Sequence, residues 1–147
     1  MRVQIRSNLL SMQDLIAVFP FTEVVTGLTS LAYQGYTSNS MAGGVEFSGC
    51  FDLTSEQVTY INSPLPVPEE YIKTEKVIYA GKNQALLDAM YAETDLSRVD
   101  EAVEDFFYDG LLDSFVKYAR RAGYPEEKLK WGIQRALDLG YVMPEKE

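Results

Sequence analysis

The chain has no histidine, and this absence removes a large share of enzyme chemistry. Histidine is the commonest general base and the commonest transition-metal ligand, so Ser-His and Cys-His nucleophile pairs are excluded. Cysteine is nearly absent too: Cys50 stands alone. A lone cysteine rules out an intrachain disulfide, disfavours zinc, and fits a reducing compartment, so a cytoplasmic location is expected. In its apolar surroundings Cys50 reads as a small core residue rather than a nucleophile. Long hydrophobic runs are missing as well. The apolar segment after Arg2 and Arg6 is interrupted by Gln13 and Asp14. No stretch approaches the ~20 apolar residues of a membrane span, so neither a signal-like core nor membrane insertion is expected.

Cations are scarce: 13 Lys and Arg stand against 22 Asp and Glu, for a net charge of −9. Nucleic-acid affinity rests largely on cations that neutralise phosphates, so direct nucleic-acid binding is not expected, nor is an anionic membrane surface. The natural complement is a basic surface on another protein, including one that ordinarily holds nucleic acid. Cofactor and metal signatures are also lacking. The loop at Gly43-Gly44 has neither Gly-x-Gly-x-x-Gly nor Gly-Lys-Ser/Thr, and no EF-hand loop exists. Glu56, Glu69, Glu70 and Lys73 could assemble a nuclease-like set, but any acidic chain offers such sets. The expectation is a non-enzyme without cofactor or metal.

What is present supports a folded domain. The 147 residues are 46% hydrophobic and 12% aromatic, enough for one compact domain with a real core. Val3 and Ile5 alternate with polar neighbours like a strand. Ser11 with Asp14 makes a capping box for a short helix over Met12 to Val18, stopped by Pro20. Thr22 to Leu31 is β-branched and suits a strand interrupted near Gly27. Gln34 to Gly44 reads as a loop carrying Tyr36, and Val45 to Ser48 as a strand. Thr54 with Gln57 predicts a helix to about Ile61. Ser63 to Pro68 has proline at every second position and reads as a stiff polyproline connector. Lys76 to Ala80 is a strand, and Asn83 caps a helix carrying Leu86, Leu87 and Met90. The expected fold is α+β: residues 1–80 give a small, mostly antiparallel sheet, and residues 81–147 a helical region.

The strongest local signals lie between Thr94 and Met143. Leu96, Val99, Val103, Phe107, Leu111, Phe115, Tyr118 and Ala122 recur every three or four residues, which predicts one long helix, with Ser97 and Asp100 as a capping box. Gly123 stops it. Pro125, Glu126 and Glu127 restart a second helix with Leu129, Ile133, Ala136 and Leu137 as its buried stripe, giving an αα-hairpin that ends at Gly140. Glu101, Asp105, Asp109 and Asp113, spaced by four, fall in one row with about 6 Å of rise between neighbours. Asp100 and Glu104 flank them. The window from Glu93 to Asp113 holds eight acids against Arg98 alone, −7 of the chain's net −9, whereas residues 114–147 carry +2. Acids at a helix N-terminus favour the macrodipole, which accounts for Asp100 and Glu101 as a solvated face. It does not account for Asp109 and Asp113 in mid-helix. Gly110 is the one residue able to break the row, and the continuous apolar period argues against a break.

Trp131 falls on the side of the last helix away from its apolar stripe, beside Lys128 and Arg135. A tryptophan there either packs under the N-terminal half or anchors a partner. These readings converge on a non-catalytic acidic binding protein that contacts its partner through Asp100, Glu101, Glu104, Asp105, Asp109, Asp113 and Trp131. In its sharpest form it is a nucleic-acid-mimicking inhibitor of a nuclease or other nucleic-acid-binding protein. That form is of the anti-restriction or anti-CRISPR type and of phage or mobile-element origin, acting in the host cytoplasm. The alternative is a structural or assembly subunit that works through a homo-oligomeric, in the simplest case homodimeric, interface. A helix-turn-helix DNA binder using Lys128, Lys130 and Arg135 is opposed by the adjacent acidic helix.

Overall fold

Val3 and Ile5 do sit on a strand, and that strand organises half of a sheet. The computed structural model of the chain describes residues 2–5, 24–37, 45–48, 58–61, 71–73, 78–93 and 96–146. Strand β1 (Arg2–Ile5) runs antiparallel to both its neighbours. Val3 lies opposite Phe47 of β3 (Val45–Ser48) and opposite Tyr60 of β4 (Val58–Ile61). On the far side of β3 comes β2 (Val24–Thr26), antiparallel to it with Val25 opposite Phe47. Next is β6 (Ile78–Ala80), parallel to β2 with Val25 opposite Tyr79, and then β5 (Tyr71–Lys73), antiparallel at the edge. The order is β4-β1-β3-β2-β6-β5, a mixed sheet with one parallel pair. A parallel pair cannot be closed by a hairpin, so the chain between β2 and β6 travels through the other elements before returning. With helices following the sheet, the fold is α+β.

Local propensity misreads several of these elements. Within the β-branched run at Thr22 to Leu31 the strand is Val24–Thr26, and α1 (Gly27–Tyr33) follows it directly. Leu28 and Leu31, three apart, are both buried in the core, and that helical packing overrides the strand preference. The helix expected up to Ile61 is instead β4, because Val58, Thr59, Tyr60 and Ile61 pair with β1 along its whole length. Asn83 does not cap α2 (Lys82–Ala92); Gly81 holds that position, and the Asn83 amide donates to Ser114 Oγ at 3.2 Å. The expected helix over Met12 to Val18, most of the Gln34 to Gly44 loop, Cys50 and the proline run lie outside the described residues.

The core forms where α1 and the C-terminal helices meet. These are α2, α3 (Leu96–Tyr108), α4 (Leu112–Arg121), α5 (Glu126–Gly132) and α6 (Gln134–Asp138). Phe106 and Phe115 meet edge to face at its centre, with centroids 6.1 Å apart, and Tyr36 presents an edge to Phe106 at 4.9 Å. Burying an aromatic of that size contributes about 1.5–3 kcal/mol. Seven consecutive residues of α2, Gln84 to Met90, are buried, so this helix is enclosed on all sides. Gln84 and Asp88, the two polar residues of that run, are satisfied internally. Asp88 accepts from Thr26 Oγ1 at 2.5 Å and from Gln84 Nε2 at 2.7 Å, and Tyr118 donates its hydroxyl to Gln84 Oε1. This buried chain ties β2, α2 and α4 together, since losing one partner would leave another buried polar group unpaired. The second expected helix is divided into α5 and α6 by a turn at Ile133, although Leu129, Ile133 and Ala136 form the buried stripe that their spacing predicts.

Candidate partner-binding face

Helix α3 divides its residues as its period requires. Val99, Ala102, Val103 and Phe106 face the core, as does Arg98, while Asp100 and Glu101 point to solvent and Glu104 and Asp105 lie at the boundary. The single long helix predicted from the apolar period does not exist. Helix α3 ends at Tyr108, and Gly110 takes a left-handed φ of +71°. Leu111 N–H donates to Phe106 C=O at 2.8 Å, and Gly110 N–H to Phe107 C=O at 3.2 Å, which is the Schellman pattern of a finished helix. The apolar period survives the break because that motif sets Leu111 near Phe106. Phe106, not Phe107, is the fully buried aromatic, and Leu96 at the start of the expected stripe is 43% exposed.

The row of four carboxylates is therefore cut to three. Asp113 belongs to the first turn of α4, where Tyr141 OH donates to its carboxylate at 2.7 Å. Burial and that hydrogen bond push the Tyr141 hydroxyl well above its ordinary pKa. Glu104 pairs with Arg135 at 3.2 Å, an exposed contact that links α3 to α6. Asp100, Glu101, Asp105 and Asp109 have no ion pair among the described residues. Asp105 shows the consequence. Its pKa is raised by partial burial, by Asp109 and by Glu104, and that of Tyr36 is raised by burial, then by Asp109 and by Asp105 itself. The like charges are thus close and mutually unfavourable. Among the described residues no set of three acids is arranged to hold a metal ion. No described helix is long and apolar enough to cross a membrane.

Trp131 does not pack under another layer: it is 54% exposed. Gly132 beside it allows α5 to approach α2 closely, because a Cβ there would fall 2.7 Å from Met90 Sδ. Trp131 and Leu96 stand at a groove of about 350 Å³ between the start of α3 and the α5–α6 turn. Asp100 and Trp131, two of the predicted contacts, thus share one site, whereas Asp113 lies apart from it. Two features escaped the sequence reading. Arg135, one of the cations of the opposed DNA-binding reading, pairs with Glu104, 31 residues away, and nothing in the sequence marks that pairing. The Gln84–Asp88 pair shows the i, i+4 spacing of interacting side chains, but only packing reveals that it is buried. Comparison with protein-family models, with curated proteins and with solved structures gives no match to this chain.

Proposed function

We propose that the chain is a non-catalytic protein-binding module whose α3 face docks on a basic surface of another protein. The observation that supports this reading most is the group Asp100, Glu101, Asp105 and Asp109, which lacks counter-ions among the described residues. Close like charges oppose the helix by about 0.2–0.5 kcal/mol per pair, and a basic partner would relieve that repulsion on binding. The partner class that fits best is a protein whose basic surface ordinarily holds nucleic acid. In that setting the module is an inhibitor, of the anti-defence kind that phages and mobile elements carry, acting in the host cytoplasm. Mimicry of a phosphate row keeps Glu101, Asp105 and Asp109 but not Asp113, so the stretch imitated is short.

The test is affinity capture by the immobilised chain from cells of its native host, alongside the Asp105→Lys/Asp109→Lys variant. The variant is expected to lose the captured partner while its thermal stability stays within about 1 kcal/mol of wild type. Retention of the same partner by the variant would reject the reading. The second reading, an assembly subunit, draws on the exposure of Tyr108 and Trp131. Size-exclusion chromatography with light scattering separates the two, since a closed ring would favour assembly.

A further inference from the structure

The groove beside Trp131 has a composition that specifies more than a generic contact. Its apolar surfaces come from Trp131 and Leu96, both substantially exposed, over Met90 and Val99, which are buried. Its acids are Asp100 on α3 and Asp138 on α6. Among the described residues Arg135 is the one cation lining it, and its guanidinium is turned to Glu104. Asp138 is held in place by a 2.8 Å hydrogen bond from Gln134 Nε2. The volume is at the small end of the range that holds ligands, about 300–1,000 Å³, and so suits a single large side chain. Asp100 belongs both to the groove and to the acidic face of α3, so one partner could cover the two together.

We infer that this groove is the anchor site for the basic partner: it takes a segment in which a bulky apolar residue is flanked by arginine or lysine. The apolar side chain packs on Trp131 and Leu96, and the flanking cation pairs with Asp100 or Asp138. Exposed tryptophans of this kind dominate binding energy when a partner desolvates them, while acids at the rim select the sign of the segment. This inference rests on the acidic-face reading, because the segment is taken to belong to the same basic protein.

Trp131 is the chain's single tryptophan, so its fluorescence reports on this site alone. The probe is a short tryptophan-free peptide with a central leucine pair flanked by arginines. It is compared with one carrying serine for leucine and one carrying glutamate for arginine. The first peptide is expected to give a saturable blue shift and the other two none. Asp100→Lys/Asp138→Lys, two exposed substitutions checked for folding by circular dichroism, is expected to weaken the response about tenfold or more. No shift with the arginine–leucine peptide, or an equal shift with either comparator, would overturn the inference. A blue shift that grows with protein concentration alone would also overturn it, by assigning the groove to a second copy of the chain. The Asp105→Lys/Asp109→Lys variant keeps the two readings apart. If it loses the partner while the peptides never shift Trp131, the groove inference fails alone. If it retains the partner, the acidic-face reading fails whatever the peptides do.

Discussion

At the C-terminal end of α4, Arg120 meets Glu126 through two nitrogens, Nη2 at 2.7 Å and Nε at 3.2 Å, and its third donates to Pro144 C=O at 2.7 Å. On α3, Glu104 meets one nitrogen of Arg135 at 3.2 Å. The first pair is largely shielded, with 19% and 21% of its side chains exposed, against 50% and 33% for the second. Arg120 is matched within the fold, and a hollow of about 590 Å³ beside it mixes Lys117, Arg121 and Lys146 with Glu126 and Glu145. Among the described residues, Asp100, Glu101, Asp105 and Asp109 have no ion pair. Charge that a fold satisfies within itself has a structural explanation. Charge left crowded along one helix face is what the proposed docking would neutralise.

The comparison breaks first at Arg120, where the largest effect is expected. Arg120→Ala removes three charge-assisted hydrogen bonds and leaves the largely shielded Glu126 without its partner. The expected loss is about 1.5–3 kcal/mol, read from the urea midpoint at neutral pH. Hydrogen bonding to Arg120 holds the Glu126 carboxyl below its ordinary pKa, against the effect of burial. A depressed carboxyl contributes stability above its unfolded pKa, and that contribution is lost as pH falls through the folded value. The gap between wild type and variant should therefore narrow in acid. A gap under about 0.5 kcal/mol at neutral pH would mean that this pole is as loosely held as a surface pair.

Gly110→Ala comes next, and its sign separates two pictures of the acidic helix. Within a continuous helix, alanine for glycine would stabilise by about 1 kcal/mol. At a left-handed residue with open space around its Cβ position, only the backbone penalty remains, and the variant should lose about 1–2 kcal/mol. Thermal melts of the two proteins decide between them.

That residue also marks the limit of what the sequence disclosed. Glycine was legible as the one possible break, yet the spacing of Val99, Val103, Phe107 and Leu111 argued for continuity, because a Schellman turn nearly preserves the period. The strands β1, β3 and β6 were legible from alternation and β-branched composition. Strand β4 was not, since Thr54 and Gln57 gave a local helix signal that pairing with β1 overruled. Strand β5, three residues at an edge, had no pattern long enough to read. For the site, the charge of α3 and the outward face of Trp131 were visible in the residue spacing. The groove that joins Trp131 to Asp100 was not, because it depends on how α5, α6 and α3 pack, and no period encodes that.

Arg135→Ala tests the matched remnant of the acidic pole. The loss should be about 0.2–1 kcal/mol and should shrink as salt is added, as for other exposed pairs. Removing this cation also makes the groove more negative, so the arginine–leucine peptide should bind Arg135→Ala at least as tightly as wild type. Weaker binding would show that Arg135 contacts the peptide itself rather than only Glu104.

The smallest effect is the most diagnostic of unrelieved repulsion. Asp105→Asn removes the carboxylate that Asp109 and Glu104 crowd, and should stabilise the chain by about 0.2–0.5 kcal/mol at neutral pH. Because burial and these two acids raise its pKa in the folded state, Asp105 binds its proton more readily folded than unfolded. Its contribution is fully present below the unfolded pKa, about 3.9, and is lost as pH rises through the folded value. The advantage of the asparagine variant should therefore be absent in strong acid and open across that window. A variant less stable than wild type at neutral pH would mean that Asp105 has a favourable partner, and the acidic face would then lose the repulsion on which its reading as a docking surface depends.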